Sequence, residues 1–98
     1  MNGGFHVGFL ESFKAMSDKT RLEILNLLKH GDMTAGDISG HFSMTQATVS
    51  HHLSVLKEAG LITDRREGKH IFYELNTSVI EEIMSWFIQL KGVEGNEK

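Results

Sequence analysis

Gln46 to Ile62 reads QATVSHHLSVLKEAGLI, and a few residues later comes Arg65-Arg66-Glu67-Gly68-Lys69. Within the first stretch Val49, Leu53 and Leu56 recur at helical spacing, which predicts a helix beginning near Thr45 with one apolar stripe. Gln46, Ala47, Ser50, His51 and Ser54 then point away from that stripe, Thr48 lies at its edge, and no Glu or Lys precedes Lys57. Such short polar side chains, with Thr45 at the start of the helix among them, suit base edges. Gln can bond adenine in a bidentate pair, Ser and Thr can donate or accept, and Ala can touch a thymine methyl. A face left to water can also be polar, but it is ordinarily filled with long charged side chains. His52 falls nearer the buried side and reads as a packed or backbone-bonded histidine.

Gly60 ends this helix, Leu61-Ile62-Thr63 starts a strand, and Ile71-Phe72-Tyr73-Glu74-Leu75 returns, with Glu67-Gly68-Lys69 as the turn. The expected product is a two-stranded β-wing. Arg65, Arg66, Lys69 and His70 stand toward its tip, where they can lie along phosphates or enter a minor groove, and Lys57 adds a phosphate-directed charge from the helix. Alternation along a strand directs only one of Arg65 and Arg66 to DNA. Asp64 and Glu67 dilute the tip, so mere solubility is the competing reading of its charge.

Upstream, Phe5, Phe9, Phe13 and Met16, with Leu10 beside them, give a first helix over about 5–16 with an aromatic stripe. Asp18 can cap a second helix, apolar over most of its circumference through Leu22, Ile24, Leu25, Leu27 and Leu28, until Gly31 stops it. Thr34-Ala35-Gly36-Asp37 opens a short third helix with Ile38 and Phe42 inward, and Ser43-Met44 is the turn before Thr45. Two short helices on so compact a joint are a helix-turn-helix. Downstream, a last helix over about 77–91 begins after Asn76, with Ser78 and Glu81 as an alternative capping box. The expected fold is therefore mainly α with a two-stranded β-wing: four helices, of which the fourth reads DNA, then strand, strand and a fifth helix. A single domain over 1–98 is expected from the length.

The last helix carries more apolar side chains than one contact can use. Val79, Ile83, Trp86 and Leu90 follow one side, while Ile80, Met84, Phe87 and Ile88 spread round another. The first helix has a similar surplus, so a homodimer seam built from the terminal helices is expected, formed by Phe5, Phe9, Val79, Ile83, Trp86, Phe87 and Leu90. In a monomer the two terminal helices would have to cover each other. A symmetric pair sets two reading helices about one DNA turn, roughly 34 Å, apart, as a palindromic site requires.

The net charge of −3 does not exclude double-stranded DNA as the partner, because its distribution is uneven. Residues 1–73 hold eight acids and eight bases, so the whole excess lies in 74–98. Between Asp37 and Glu58 there is no carboxylate, which offers phosphate an approach free of negative charge. The absence of Cys excludes disulfides and thiolate ligands and fits a reducing cytoplasm. The first helix is broken by His6, Glu11 and Lys14 and has no basic leader, so neither a signal peptide nor membrane insertion is expected. An enzyme would need titratable groups gathered in a pocket. The close candidates, His51 with Glu58 or His70 with Glu67, lie on exposed elements without a nucleophile or cofactor loop.

From Phe9 to about Leu90 the chain resembles the ArsR/SmtB family of small bacterial winged-helix repressors. The resemblance rests on Phe13-Lys14-Ala15-Met16-Ser17-Asp18 with Thr20-Arg21-Leu22-Glu23-Ile24-Leu25, where Lys19 replaces the usual Pro. It rests also on Thr48-Val49-Ser50-His51-His52-Leu53 with Leu56-Lys57-Glu58-Ala59-Gly60-Leu61-Ile62, and on Arg66-Glu67-Gly68-Lys69 with Phe72-Tyr73 and Leu75. Within the family it is similar to the SdpR-like subgroup, which lacks the metal boxes. The resemblance implies a dimer that represses by occupying an operator. Metal-sensing members carry a Cys-rich box on the third helix or paired Asp and His ligands on the last. Here Gly31 to Ile38 has no Cys or His, and 76–90 has no His or Asp. No metal and no cofactor is therefore expected, and no residue cluster marks a site for an effector or a sequestering protein. Two alternatives stay open: a winged-helix module that docks on protein instead of DNA, and a metal sensor with a non-standard site among His6, His30, His41, His51, His52 and His70.

Overall fold

The computed structural model describes residues 7–92, so Phe5 and His6 lie outside the described residues. Helix α1 (Val7–Met16) carries a buried edge of Phe9, Ser12 and Ala15, and the two small residues let its backbone approach a neighbouring helix closely. Leu10, beside the expected aromatic stripe, is exposed. Helix α2 (Lys19–Leu28) starts at Asp18, whose carboxylate accepts the Arg21 backbone N–H at 3.0 Å, as a short polar residue at an N-cap does. Thr34 and Asp37 form a reciprocal capping box around the start of α3 (Ala35–Ser39).

Helix α4 (Gln46–Glu58) is capped by Thr45, whose hydroxyl oxygen accepts the Thr48 N–H at 3.2 Å. Its other end is closed by a Schellman arrangement, with the Leu61 N–H on the Leu56 carbonyl and the Gly60 N–H on the Lys57 carbonyl, each at 3.0 Å. Gly60 adopts a φ of 81°, so the residue that stops the helix is one without a Cβ to clash. Val49, Leu53, Leu56, Leu61 and Ile62 meet Ile24 and Ile38 in a core where each is essentially inaccessible to water. Burial of such side chains stabilises by about 1.5–3 kcal/mol apiece relative to exposure, and it fixes which side of α4 is left outward.

Strands β2 (Ile62–Glu67) and β3 (His70–Leu75) pair antiparallel from Ile62 opposite Leu75 to Glu67 opposite His70. Gly68 takes a φ of 63° at the first central position of the turn and Lys69 takes none above zero, the pattern of a type II′ hairpin. These two strands are the expected two-stranded wing, and the sheet has a third, two-residue member that was not expected. Strand β1 (Met33–Thr34) pairs with β3, giving the order β1-β3-β2. Two residues carry no readable period, and their strand character comes wholly from β3 beside them. The chain ends in α5 (Thr77–Lys91), capped by Asn76 rather than by the Ser78 alternative. No helix among the described residues is long and apolar enough to cross a membrane.

Candidate nucleic-acid interface

Because Val49, Leu53 and Leu56 turn inward, Gln46, Ala47, Thr48, Ser50, His51 and Ser54 are all exposed along one side of α4. Thr45 is exposed too, but its hydroxyl serves the cap and lies 2.9 Å from that of Thr48. His52 is half-buried and is held from α2: Arg21 Nη1 donates to His52 Nδ1 at 3.2 Å, which puts the ring proton on Nε2. The same guanidinium donates from Nε to the Ala15 carbonyl at 2.7 Å, so Arg21 joins α1, α2 and α4. The Ser12 hydroxyl donates at 3.1 Å to the Ala59 carbonyl and fixes α1 to the other end of α4. Ser12 and Arg21 were missed as orienting residues in the sequence. A small polar residue amid the aromatic stripe of α1 is the signal for the first, and nothing local announces the second.

Beside α4, the sheet forms the far wall of an open groove of about 480 Å³ lined by Thr34, Ala35, Gly36, Asp37, Ser50, Lys69, His70, Ile71 and Tyr73. Asp37 qualifies the expectation of an acid-free approach. Folding brings this carboxylate to the groove's edge, where its Oδ2 accepts the Thr34 N–H at 3.3 Å. Lys69 supplies the opposing positive charge with the His70 side chain beside it, and Arg66 is exposed on β2.

Two of the expected phosphate-directed cations are engaged within the protein. Lys57 Nζ donates to Asp64 Oδ2 at 2.9 Å, a pairing that raises its pKa. Arg65 is paired with Glu67 at 2.7 Å, Asp32 at 2.6 Å and Glu74 at 3.8 Å, and the hydrogen bonds to Glu67 and then Asp32 push its already high pKa further up. In return, the Arg65 hydrogen bond holds the Asp32 carboxyl below the usual carboxylate range.

The residues expected at a dimer seam divide between inside and outside. Phe9 and Ile83 belong to the protomer's own core, with Val79 and Trp86 packed against it, while Phe87 and Leu90 are 50% and 64% exposed. Leu10, Met84 and Ile88 are also outward, so the exposed apolar surface is centred elsewhere than on Ile83. Phe9, Phe13, Trp86 and Phe87 form a chain of ring contacts 5.3–6.4 Å apart that joins α1 to α5. Among the described residues no three His, Cys, Asp or Glu side chains gather into a group able to hold a metal ion.

Residues 18–64 match the family model described as bacterial regulatory protein, arsR family. The chain is 53% identical over 76 residues to the transcriptional repressor SdpR of Bacillus subtilis, spanning 78% of this chain and 84% of that protein. It is 41% identical over 71 residues to the arsenical resistance operon repressor of Staphylococcus aureus, spanning 72% of this chain and 68% of that one. Among solved structures, the transcriptional repressor BigR from Xylella fastidiosa superposes with a TM-score of 0.66 at 27% identity, over 83% of this chain and 84% of that one.

Proposed function

The chain belongs to the arsR family of bacterial regulatory proteins, and from that premise we propose that it is a cytoplasmic, homodimeric transcriptional repressor that occupies a palindromic operator without sensing metal. The observation that carries this reading is the outward face of α4 from Gln46 to Ser54, free of acids and of long aliphatic chains, set beside a groove whose far wall bears Lys69 and His70. The helix reads base edges in the major groove through Gln46, Ala47, Thr48, Ser50 and His51, with Ser54 farther along. Arg66, Lys69 and His70 meet the sugar-phosphate backbone and fix the register of that helix on the duplex.

Dimerisation is supported by the exposed Leu10, Met84, Phe87, Ile88 and Leu90, a patch that water does not favour and that a second copy can cover. Metal independence is supported by the donor set: the sequence has no Cys, and α5 contains neither His nor Asp. SdpR of Bacillus subtilis and the arsenical operon repressor are both named repressors, which supports repression as the outcome of operator occupancy.

Fluorescence anisotropy tests the reading, with the protein titrated onto a duplex from upstream of its own coding region and onto a scrambled duplex. Two salt concentrations are used, with chelator and with zinc. The expected result is a preference of about 10³-fold or more for the upstream duplex, weakened by salt and indifferent to zinc. Weak and equal affinity for both duplexes speaks for a module that docks on protein, and a zinc-dependent change sinks metal independence.

A further inference from the structure

Arg65 and Arg66 are adjacent on one strand, and the register settles which face of the sheet each takes. Arg65 stands opposite Phe72 and Arg66 opposite Ile71, and directly opposed residues project to the same side. Ile71 borders the groove that contains Ser50 of the reading helix, so Arg66 shares the groove face. Arg65 lies on the outer face. There its guanidinium carbon sits 5.1 Å from the centroid of the Phe72 ring, and its nitrogens reach Glu67 on its own strand, Glu74 on β3 and Asp32 just before β1. With the strands in the order β1-β3-β2, one side chain thus crosses from one edge strand, over the middle strand, to the approach of the other.

We propose that Arg65 is a positioning residue of the DNA-binding wing, a strap over its outer face that sets the angle of the hairpin against the helical body, while Arg66 is the arginine that meets DNA. The proposal rests on the DNA-binding function inferred above. A two-stranded ribbon is weakly held on its own and twists readily. Beyond Ile62 and Leu75 the inner face of the hairpin is held by Tyr73 against the core and by the Lys57–Asp64 bond from α4, and its side by the two-residue pairing of β1, which leaves the outer face to Arg65. Asp32 precedes that pairing, so the Arg65–Asp32 bond ties the hairpin to the segment that follows α2. Three carboxylates round one guanidinium leave the group negative as a whole, and a phosphate gains nothing by approaching it. The side chains of Arg65 and Asp32 are 40% and 36% exposed, so replacing either opens no hole in the core.

The test compares Arg65→Gln, Asp32→Asn and Arg66→Gln in the full chain. The first readout is the dependence of affinity for a scrambled duplex on salt, since phosphate contacts are independent of sequence. Arg66→Gln should lower the slope of log K against log salt by about 1. Arg65→Gln and Asp32→Asn should leave the slope at its wild-type value. The second readout exploits the absence of native cysteine. Nitroxide labels on Lys69→Cys and Glu23→Cys, diluted with unlabelled protein, report the distance between wing tip and α2. That distribution should broaden in Arg65→Gln and Asp32→Asn alike and stay unchanged in Arg66→Gln. A fall in slope for Arg65→Gln matching that of Arg66→Gln, or an unbroadened distribution, overturns the strap. A wild-type chain without salt-dependent affinity for DNA overturns the DNA-binding function instead, and the distances still decide whether Arg65 sets the hairpin.

Discussion

Gln46 is the first long side chain on the outward face of α4, one residue after its cap, where a reading helix meets base edges. Gln46→Ala should cost about 1–3 kcal/mol at the base pair it contacts and relax specificity there, as titration on a set of single-position operator variants would reveal. Equal losses on every duplex would remove Gln46 from base readout. Asp18 answers a question of stability. Its carboxyl is held below the ordinary carboxylate value, chiefly by the Arg21 backbone N–H, so its cap stabilises the fold above the unfolded pKa and fades as pH falls through the folded one. Asp18→Ala should therefore cost about 0.5–2 kcal/mol at neutral pH and progressively less below about pH 4, measured by urea unfolding at both pH values. The caps at Asp18 and Asn76 were legible from type and spacing, because a cap is a local interaction, whereas Thr34 and Thr45 were read only as standing at the starts of their helices. The division between Arg65 and Arg66 was legible only as an alternation. Which of the two faces the groove depends on the pairing of β2 with β3, which sets Arg66 opposite Ile71, and on α4 bringing Ser50 to the same groove.

Among the elements, α4 and the hairpin were the most legible, since the stripe of Val49, Leu53 and Leu56 and the turn at Gly68 each occupy a few consecutive turns or residues. Strand β1 was not, because Met33 and Thr34 are extended only by pairing with Tyr73 and Phe72. The apolar helix α5 was half legible. Its length and cap could be read, but the choice of Ile83 for the core and of Met84, Phe87 and Ile88 for the outside is made by the aromatic packing of α1. Lys69, at the turn of the hairpin, is the place to test the wing as an element. Lys69→Ala should weaken all duplexes alike and reduce the salt slope by about 1, in contrast to the selective loss at Gln46. A sequence-selective loss at Lys69 would mean that the wing reads bases.

For the whole molecule, the predicted pairing of two copies makes geometry testable without knowing the operator's sequence in advance. Phe87→Glu or Leu90→Lys should give monomers by sedimentation, because both side chains are outward and neither belongs to the core. Ile83 is unsuitable for that experiment, since a charge there would first unfold the protomer. Inserting about five base pairs between the halves of the site turns one half-site by roughly half a helical turn and should abolish dimer binding, whereas about ten should restore much of it. Monomers that bind the intact site as tightly as wild type would sink the paired arrangement.

The hydroxyl of Ser12 is 1% exposed and gives its hydrogen to the carbonyl that closes α4, while Arg21 grips both the Ala15 carbonyl and His52. The helix that bears part of the outward apolar patch is thereby bolted at two places to the helix that faces DNA. Each protomer then behaves as a stiff arm with a hand at one end and a shoulder at the other. If a partner displaced the shoulder, these bonds would carry the displacement to the hand instead of letting it be absorbed by bending along the arm. In the proposed dimer, regulation would then be a matter of the angle between two arms, and a change too slight to disturb either protomer would carry two hands out of step with the pitch of the double helix.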